Sequence, residues 1–136
     1  MFKVLIGLEE FARSESLTEA CQLFIKETKR RIGAHGMPQM VLFEMCMIEA
    51  EYNGVPGIMN FDAIVQFSAA AGILNKEGVL MDRPAPYIPA DIERQVFVSA
   101  SNESLQAYLA ENAEILAEIQ KAKPPPAEPV VVIATR

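Results

Sequence analysis

The stretch Met40-Val-Leu-Phe-Glu-Met-Cys-Met-Ile48 is apolar at every position except Glu44. A helix that is apolar nearly all round its circumference is buried on most of its sides. Pro38 suits the first turn of such a helix, and the pair Asn53-Gly54 suits its end. The sequence therefore predicts a central helix from about residue 38 to residue 52, around which the other elements pack.

Helical signals also flank this central stretch. Ser16 and Glu19 have the spacing of a capping box, and Asn60 is a suitable N-cap for the segment that follows it. Apolar residues recur at helical spacing after each of these caps and again near the C-terminus. Three further helices are therefore predicted, over residues 16–32, 61–74 and 103–122.

Strand signals are confined to the two ends of the chain. Residues 2–8 and the segment Val130-Val-Val-Ile133 both contain the β-branched side chains that favour strands. In the connector over residues 75–90, three prolines exclude a helix. Residues 91–98 are compatible either with a helical turn or with the approach to a strand over 95–100.

Together these elements predict a mainly α fold, a compact bundle of about four helices with one or two short strands from the chain termini. The predicted helical domain covers residues 1–123. A Pro-rich linker and a C-terminal strand cover residues 124–136, because Pro124, Pro125 and Pro126 impose an extended backbone.

Composition and charge restrict the classes of partner. The 136 residues include 12 Lys and Arg against 18 Asp and Glu, which gives a net charge of −6. An acidic chain repels phosphate backbones, so a general grip on nucleic acid is disfavoured. No signal peptide or membrane-spanning stretch is visible in the sequence. The expected location is the cytoplasm, and a virus or plasmid product made in a cytoplasm fits as well.

The sequence carries few groups suited to metal binding or nucleophilic catalysis. Cys21, Cys46 and His35 lack the spacing of a zinc site, so neither a metal nor a cofactor is expected. Both cysteines fall in apolar patterns, where free cysteine usually behaves as a small hydrophobic residue. No catalytic residue is therefore predicted. The enzymatic alternative is a small helical enzyme using Glu44, whose pKa would be raised if the central helix buried it.

The first alternative, ahead of the enzyme, is a winged-helix-like transcription regulator that binds DNA or another regulator. Residues 61–74 followed by 75–81 have the rhythm of a recognition helix and a first wing strand, but no Arg or Lys precedes Lys76 in this stretch. The nucleic-acid contacts of this alternative would come from the basic cluster at the end of the first helix: Lys26, Lys29, Arg30 and Arg31. Such a cluster is equally typical of a helix C-terminus, where cations complement the helix dipole.

The C-terminal helix carries a short heptad seam. Its positions, spaced by four, three, four and three residues, are Leu105, Leu109, Asn112, Leu116 and Ile119. A polar residue on such a seam can determine register and oligomeric state. The seam is too short for an isolated coiled coil, so it packs either on the central helix of its own fold or on a second chain.

The C-terminal strand has two possible partners as well. Val130, Val131, Val132 and Ile133 can add to the edge of a partner's sheet or pair with Val4–Leu8 of the same chain. Together with the seam, they favour a non-enzymatic interaction protein: an adaptor, an assembly factor or a small subunit of a larger complex. Its partner would be another protein or a second copy of the chain.

Overall fold

The structure, a computed structural model, describes residues 1–7, 9–35, 46–101 and 105–112. In these ranges the chain forms four strands and four helices. Their order is β1 (Phe2–Ile6), β2 (Glu9–Ser14), α1 (Leu17–His35), β3 (Met47–Tyr52), β4 (Val55–Asn60), α2 (Phe61–Ala70), α3 (Ala90–Ser101) and α4 (Leu105–Glu111). The strands make one antiparallel sheet in the order β2-β1-β3-β4.

This α/β architecture shows that the prediction of a mainly α bundle is wrong. Half of the predicted central helix is strand β3, and the other half lies in residues 36–45, outside the described residues. Along β3, buried Ile48 and Ala50 alternate with the more exposed Glu49 and Glu51, which is the period of a strand. The sequence alone did not reveal this alternation, because the apolar run that precedes β3 has the pattern of a buried helix and obscures where the strand begins.

The pair Asn53-Gly54, assigned to a helix end, instead joins β3 to β4. Both residues have positive φ angles, 54° and 79°. Two consecutive left-handed residues form the turn whose twist matches a two-residue β-hairpin, and Asn-Gly is its preferred sequence. The hairpin then pairs all six residues of β3 with β4, from Met47 with Asn60 to Tyr52 with Val55.

Strand β1 lies within the predicted N-terminal strand, but it occupies an internal position of the sheet. It pairs with β2 along one edge and with β3 along the other. Both edges of β1 are occupied over residues 3–5, which leaves no edge there for the C-terminal segment. That segment lies outside the described residues, so its pairing partner stays a prediction. Strand β2 was not predicted, since Glu9, Glu10 and Arg13 have little strand propensity.

The helices cover one face of this sheet. From the sheet, Val4, Ile48 and Met59 are fully buried. Opposite them lie fully buried side chains of α1, α2 and α3: Leu17, Phe24, Ile64, Phe67, Val96 and Phe97. The other face carries more exposed residues such as Lys3, Glu49 and Ile58. The core is therefore a single layer between sheet and helices.

The predicted helices other than the central one are present, with different limits. Asn60 caps α2, because its Oδ1 accepts a hydrogen bond from the Ala63 N–H at 2.9 Å. Residues 91–98 belong to α3, so the helical alternative is the correct one there. The last helix is described only over residues 105–111, and its predicted continuation to residue 122 lies outside the described residues. None of the described helices is long and apolar enough to span a membrane.

Candidate protein-interaction surface

Helix α3 lies against the outer edge of β4, and Gly57 allows this close approach. A Cβ atom at residue 57 would lie 2.8 Å from Phe97 Cε1 and 2.8 Å from Ser101 Oγ, which is closer than side chains pack. The Ser101 hydroxyl accepts a hydrogen bond from the Ile58 N–H at 3.0 Å and donates one to the Ile58 carbonyl at 3.2 Å. The helix thus satisfies edge groups that would otherwise be unpaired.

An aromatic cluster under α3 holds the helix in this position. The Phe97 ring centroid lies 5.6 Å from that of Phe2 and 5.8 Å from that of Tyr52, at tilted or edge-on angles. The rings of Phe2 and Tyr52 are 6.4 Å apart, also edge to face. Such pairs add stabilisation to the burial of their apolar area. The cluster therefore ties α3 to the centre of the sheet.

Above this cluster, Arg94 of α3 projects over Tyr52 of β3. The guanidinium carbon lies 5.2 Å from the centroid of the Tyr52 ring, within the range of a cation–π contact. Beside it, Val55 is 66% exposed and Val98 is 41% exposed. In the described part of the chain, no carboxylate lies within salt-bridge distance of Arg94. These residues and Tyr108 of α4 form what we call the Arg94 surface.

Two shallow grooves meet on the Arg94 surface. The first, of about 260 Å³, runs between β4 and α3, and the second, of about 440 Å³, runs between α3 and α4. Arg94 and Val98 line both grooves. In the second groove the Tyr108 hydroxyl donates a hydrogen bond to the Gln95 side-chain oxygen at 3.3 Å. Aromatic, aliphatic and guanidinium groups are thus presented together, and the Asp91 carboxylate lines the second groove beside them.

The start of the predicted seam lies next to this surface. Leu105 is 5% exposed and belongs to the core of its own chain, while Leu109 is half-buried. The Asn112 side-chain amide donates to the Tyr108 carbonyl at 2.9 Å, so it stabilises the end of its own helix. The remaining predicted partner-binding residues lie outside the described residues: Leu116, Ile119, Val130, Val131, Val132 and Ile133. A partner contact through the seam stays a prediction.

The predicted basic cluster is largely engaged by other groups of the chain. Arg30 donates to both carboxylate oxygens of Glu27, at 3.0 and 2.7 Å, and Arg31 donates to one of them at 2.7 Å. Lys29 donates to the Gly78 carbonyl at 3.0 Å, whereas the exposed Lys26 lines a groove beside residues 80–83. Three of the four cations therefore have partners within the chain, which reduces their capacity to bind phosphates.

The pair of arginines lowers the pKa of Glu27 to about 2, chiefly through the hydrogen bonds from Arg30. Because the folded-state pKa is below the unfolded value of 4.5, the charged form favours folding above pH 4.5, and this contribution is lost as the pH falls towards 2. We expect Glu27→Gln to lower the free energy of unfolding by about 1 kcal/mol at pH 7, a modest amount because both arginines are partly exposed. Urea titrations at pH 7 and at successively lower pH measure this difference.

The matched control for Glu27 is Glu77→Gln, which alters an exposed carboxylate in a turn. This variant is expected to unfold at the same urea concentration as the unaltered chain at pH 7. The difference between Glu27→Gln and the unaltered chain shrinks below pH 4.5. A difference that stays constant down to pH 2 contradicts the role given to the two arginines.

Glu93 is a buried carboxylate that the sequence did not single out. Its side chain, on α3, is 5% exposed and accepts hydrogen bonds from the Leu17 N–H at 2.9 Å and the Ser16 hydroxyl at 3.3 Å. It therefore caps the N-terminus of α1 from a neighbouring helix. Burial raises the pKa of Glu93, although the hydrogen bonds from Leu17, Thr18 and Ser16 oppose this shift.

The predicted capping box at the same helix end is formed only in part. The Ser16 hydroxyl accepts a hydrogen bond from the Glu19 N–H at 3.3 Å, as the motif predicts. The Glu19 carboxylate accepts instead from the Ser14 hydroxyl at 2.5 Å, and the Ser16 N–H donates to Ser14 at 3.0 Å. Glu93 supplies a buried carboxyl acceptor for this helix end, which gives it a structural role.

Both cysteines lie in the apolar core. Both are buried and free, and burial raises the pKa of the Cys21 thiol to about 12. A thiol with so high a pKa stays protonated near neutral pH, and only the thiolate is a strong nucleophile. The His35 side chain and Glu44 lie outside the described residues. Among the side chains that the structure does place, no group of three or more potential metal ligands comes together.

No protein family, curated protein or solved structure matches this chain.

Proposed function

We propose that the chain is a non-enzymatic protein-binding module, an adaptor, assembly factor or subunit of a larger complex, which contacts its partner through the Arg94 surface. The observation that supports this most is the state of Arg94 itself. Its guanidinium is stacked on Tyr52, has no carboxylate partner among the described residues and lies between the exposed side chains of Val55 and Val98.

Arginine and tyrosine are among the residue types enriched at the energetic centres of protein interfaces. Stacking on Tyr52 restricts the conformations of Arg94 before binding, so less entropy is lost when a partner covers it. The grooves beside Arg94 can accept apolar side chains of a partner, while the guanidinium offers hydrogen-bond donors to a carboxylate or carbonyl of that partner.

The buried reactive groups of the described chain also suit a binding role better than catalysis. Glu93 is used as a helix cap, and the Cys21 thiol is kept protonated by burial. A cytoplasmic location fits this proposal, because two free buried cysteines persist as thiols in a reducing compartment.

Capture of partner proteins by three forms of the full chain tests the proposed surface. The unaltered chain, Val98→Asp and the control Val79→Asp are immobilised, and proteins retained from a lysate of the source cells are quantified by mass spectrometry. Val98 and Val79 are both exposed, at 41% and 53%, but only Val98 lies on the Arg94 surface. A new carboxylate at residue 98 is expected to pair with Arg94 one helical turn away and to remove it from the interface.

We expect at least one protein to be retained equally by the unaltered chain and by Val79→Asp, and at least tenfold less by Val98→Asp. Tenfold corresponds to about 1.4 kcal/mol, a typical effect of an interface centre. Arg94→Ala is expected to weaken retention of the same protein. Equal retention by Val98→Asp, or no protein retained by the unaltered chain, contradicts the proposal.

A further inference from the structure

The two outer strands of the sheet differ in how their edges are satisfied. On β4, Pro56 has no N–H to donate, and both backbone groups of Ile58 are bonded to the Ser101 hydroxyl. A strand from elsewhere cannot pair with this edge without displacing α3. On β2, the described residues include no strand beyond it. Within the described residues, the outer edge of β2 is therefore the edge at which a further strand can join the sheet.

The hydrogen-bonding direction of β2 follows from the alternation of an antiparallel ladder. Because the backbone groups of Ile58 point away from β3, those of its pair Glu49 point towards β1 and bond Lys3. The backbone N–H and carbonyl of Lys3 therefore point towards β3 and away from Arg13, which is paired with Lys3 on β2. The Arg13 N–H and carbonyl therefore face outward from the sheet, where they can receive another strand.

An exposed aromatic side chain lies beside this free edge. Phe11 of β2 is 41% exposed, and the Arg31 guanidinium lies 5.9 Å from the centroid of its ring. The ladder between β1 and β2 is irregular at this point, since Val4 pairs with Ala12 and the next residue, Leu5, pairs with Glu10. Phe11 is thus the extra residue of a bulge. An added strand with apolar side chains would cover it.

We propose that Val130–Ile133 of the same chain adds to β2 as a fifth strand. This segment lies outside the described residues and consists of four consecutive β-branched residues, the type most favoured in strands. Two backbone groups of Arg13 gain partners, and the apolar side chains of the segment cover Phe11. The added strand also protects the edge of β2, which would otherwise be a template for aggregation.

The connection is long enough for the segment to reach its own sheet. About 17 residues, 113–129, separate it from the described end of α4. With the ten residues up to 122 helical at about 1.5 Å each, as the sequence predicts, and the other seven extended at about 3.3 Å each, they span roughly 38 Å. A domain of about 110 residues has a diameter of roughly 34 Å, calculated from its expected radius of gyration. A tethered segment has an effective concentration in the millimolar range. In dilute solution the segment of the same chain therefore outcompetes the segment of a second copy for the edge of β2.

Amide hydrogen exchange at Arg13, followed by NMR, tests this placement in full-length chains. In an added strand the backbone N–H groups of alternate residues point towards β2, and a proline removes one such donor. Val131→Pro and Val132→Pro are therefore made separately, so that one of them removes a donor that faces β2. Ala127→Pro, in the linker, is the matched control. The mass of each chain is measured by light scattering at the concentrations used for NMR.

We expect the Arg13 amide to exchange slowly in the unaltered chain and in Ala127→Pro. In at least one of the variants Val131→Pro and Val132→Pro it exchanges at least tenfold faster, and all four chains have a monomeric mass. Equal exchange in all four chains overturns the fifth strand. Slow exchange in the unaltered chain together with a dimeric mass also overturns the proposal that the fifth strand comes from the same chain, because the strand is then supplied by a second copy.

Discussion

Replacement of Phe97 by Ala is expected to lower the free energy of unfolding by about 3–5 kcal/mol. The Phe97 ring is completely buried, and it contacts both Phe2 of β1 and Tyr52 of β3. Its removal leaves a cavity and also separates α3 from β4, because Gly57 packs directly on this ring. Urea unfolding followed by circular dichroism measures the loss.

The matched control for Phe97 is Val98→Ala, the next residue on the same helix. Val98 is 41% exposed, so its truncation is expected to change the free energy of unfolding by less than about 0.5 kcal/mol. The contrast between the two neighbours tests which face of α3 is buried. A loss below about 1 kcal/mol for Phe97→Ala contradicts the docking of α3 on the sheet.

The second large effect is expected at Glu93. Glu93→Ala leaves the buried Leu17 N–H without its acceptor, which we expect to cost about 2–3 kcal/mol. The Ser16 hydroxyl keeps Thr18 Oγ1, at 2.9 Å, as a partner. Glu93→Gln keeps an acceptor oxygen of the same reach and is expected to cost less than half as much. Urea unfolding at pH 7 compares the two variants with the unaltered chain. Equal losses for Ala and Gln contradict the capping role.

The pH dependence of Glu93→Gln gives an independent check of the same group. Burial raises the pKa of Glu93 above its unfolded value of 4.5, so the folded chain binds this proton more tightly than the unfolded chain. The contribution of Glu93 to the free energy of unfolding therefore increases as the pH falls through its folded-state pKa, and this gain is complete below about pH 4.5. Glu93→Gln has no such proton and is expected to lack this contribution.

Local signals in the sequence predicted the helix starts well. Asn60 caps α2 because its short side chain reaches the Ala63 N–H, an interaction within four residues that needs no tertiary contact. Ser16 likewise accepts from the Glu19 N–H at the start of α1. The contribution of Glu93 to that start could not be predicted, since it lies 76 residues further along the chain than Leu17.

Two of the three strand pairings are local hairpins, but the pairing that joins them into one sheet is distant in sequence and was missed. β3 pairs with β1, more than 40 residues away, and only that pairing makes the alternation of Ile48 and Ala50 decisive. Two local signals favoured the correct interpretation, the period of two within residues 47–52 and the hairpin pair Asn53-Gly54. Strand β2 had no such signal, because the turn at Gly7 (φ +64°) and the free edge of β1 together determine it.

The candidate site also combines contacts that could be predicted from the sequence with contacts that could not. Glu27 stands three and four residues before Arg30 and Arg31, so their ion pairs could have been predicted from helical spacing alone. The Arg94 surface could not, because Tyr52 reaches Arg94 only through the close contact of α3 with β4.

Site-specific photo-crosslinking tests the Arg94 surface most directly. A photo-reactive amino acid replaces Val98 in the full chain within its source cells, and the same group at Val79 serves as the control for exposure. We expect a cross-linked product containing one defined protein from residue 98, strongly reduced when Arg94→Ala is added, and absent from residue 79. No product from residue 98, or the same product from both positions, would contradict a binding role for the Arg94 surface.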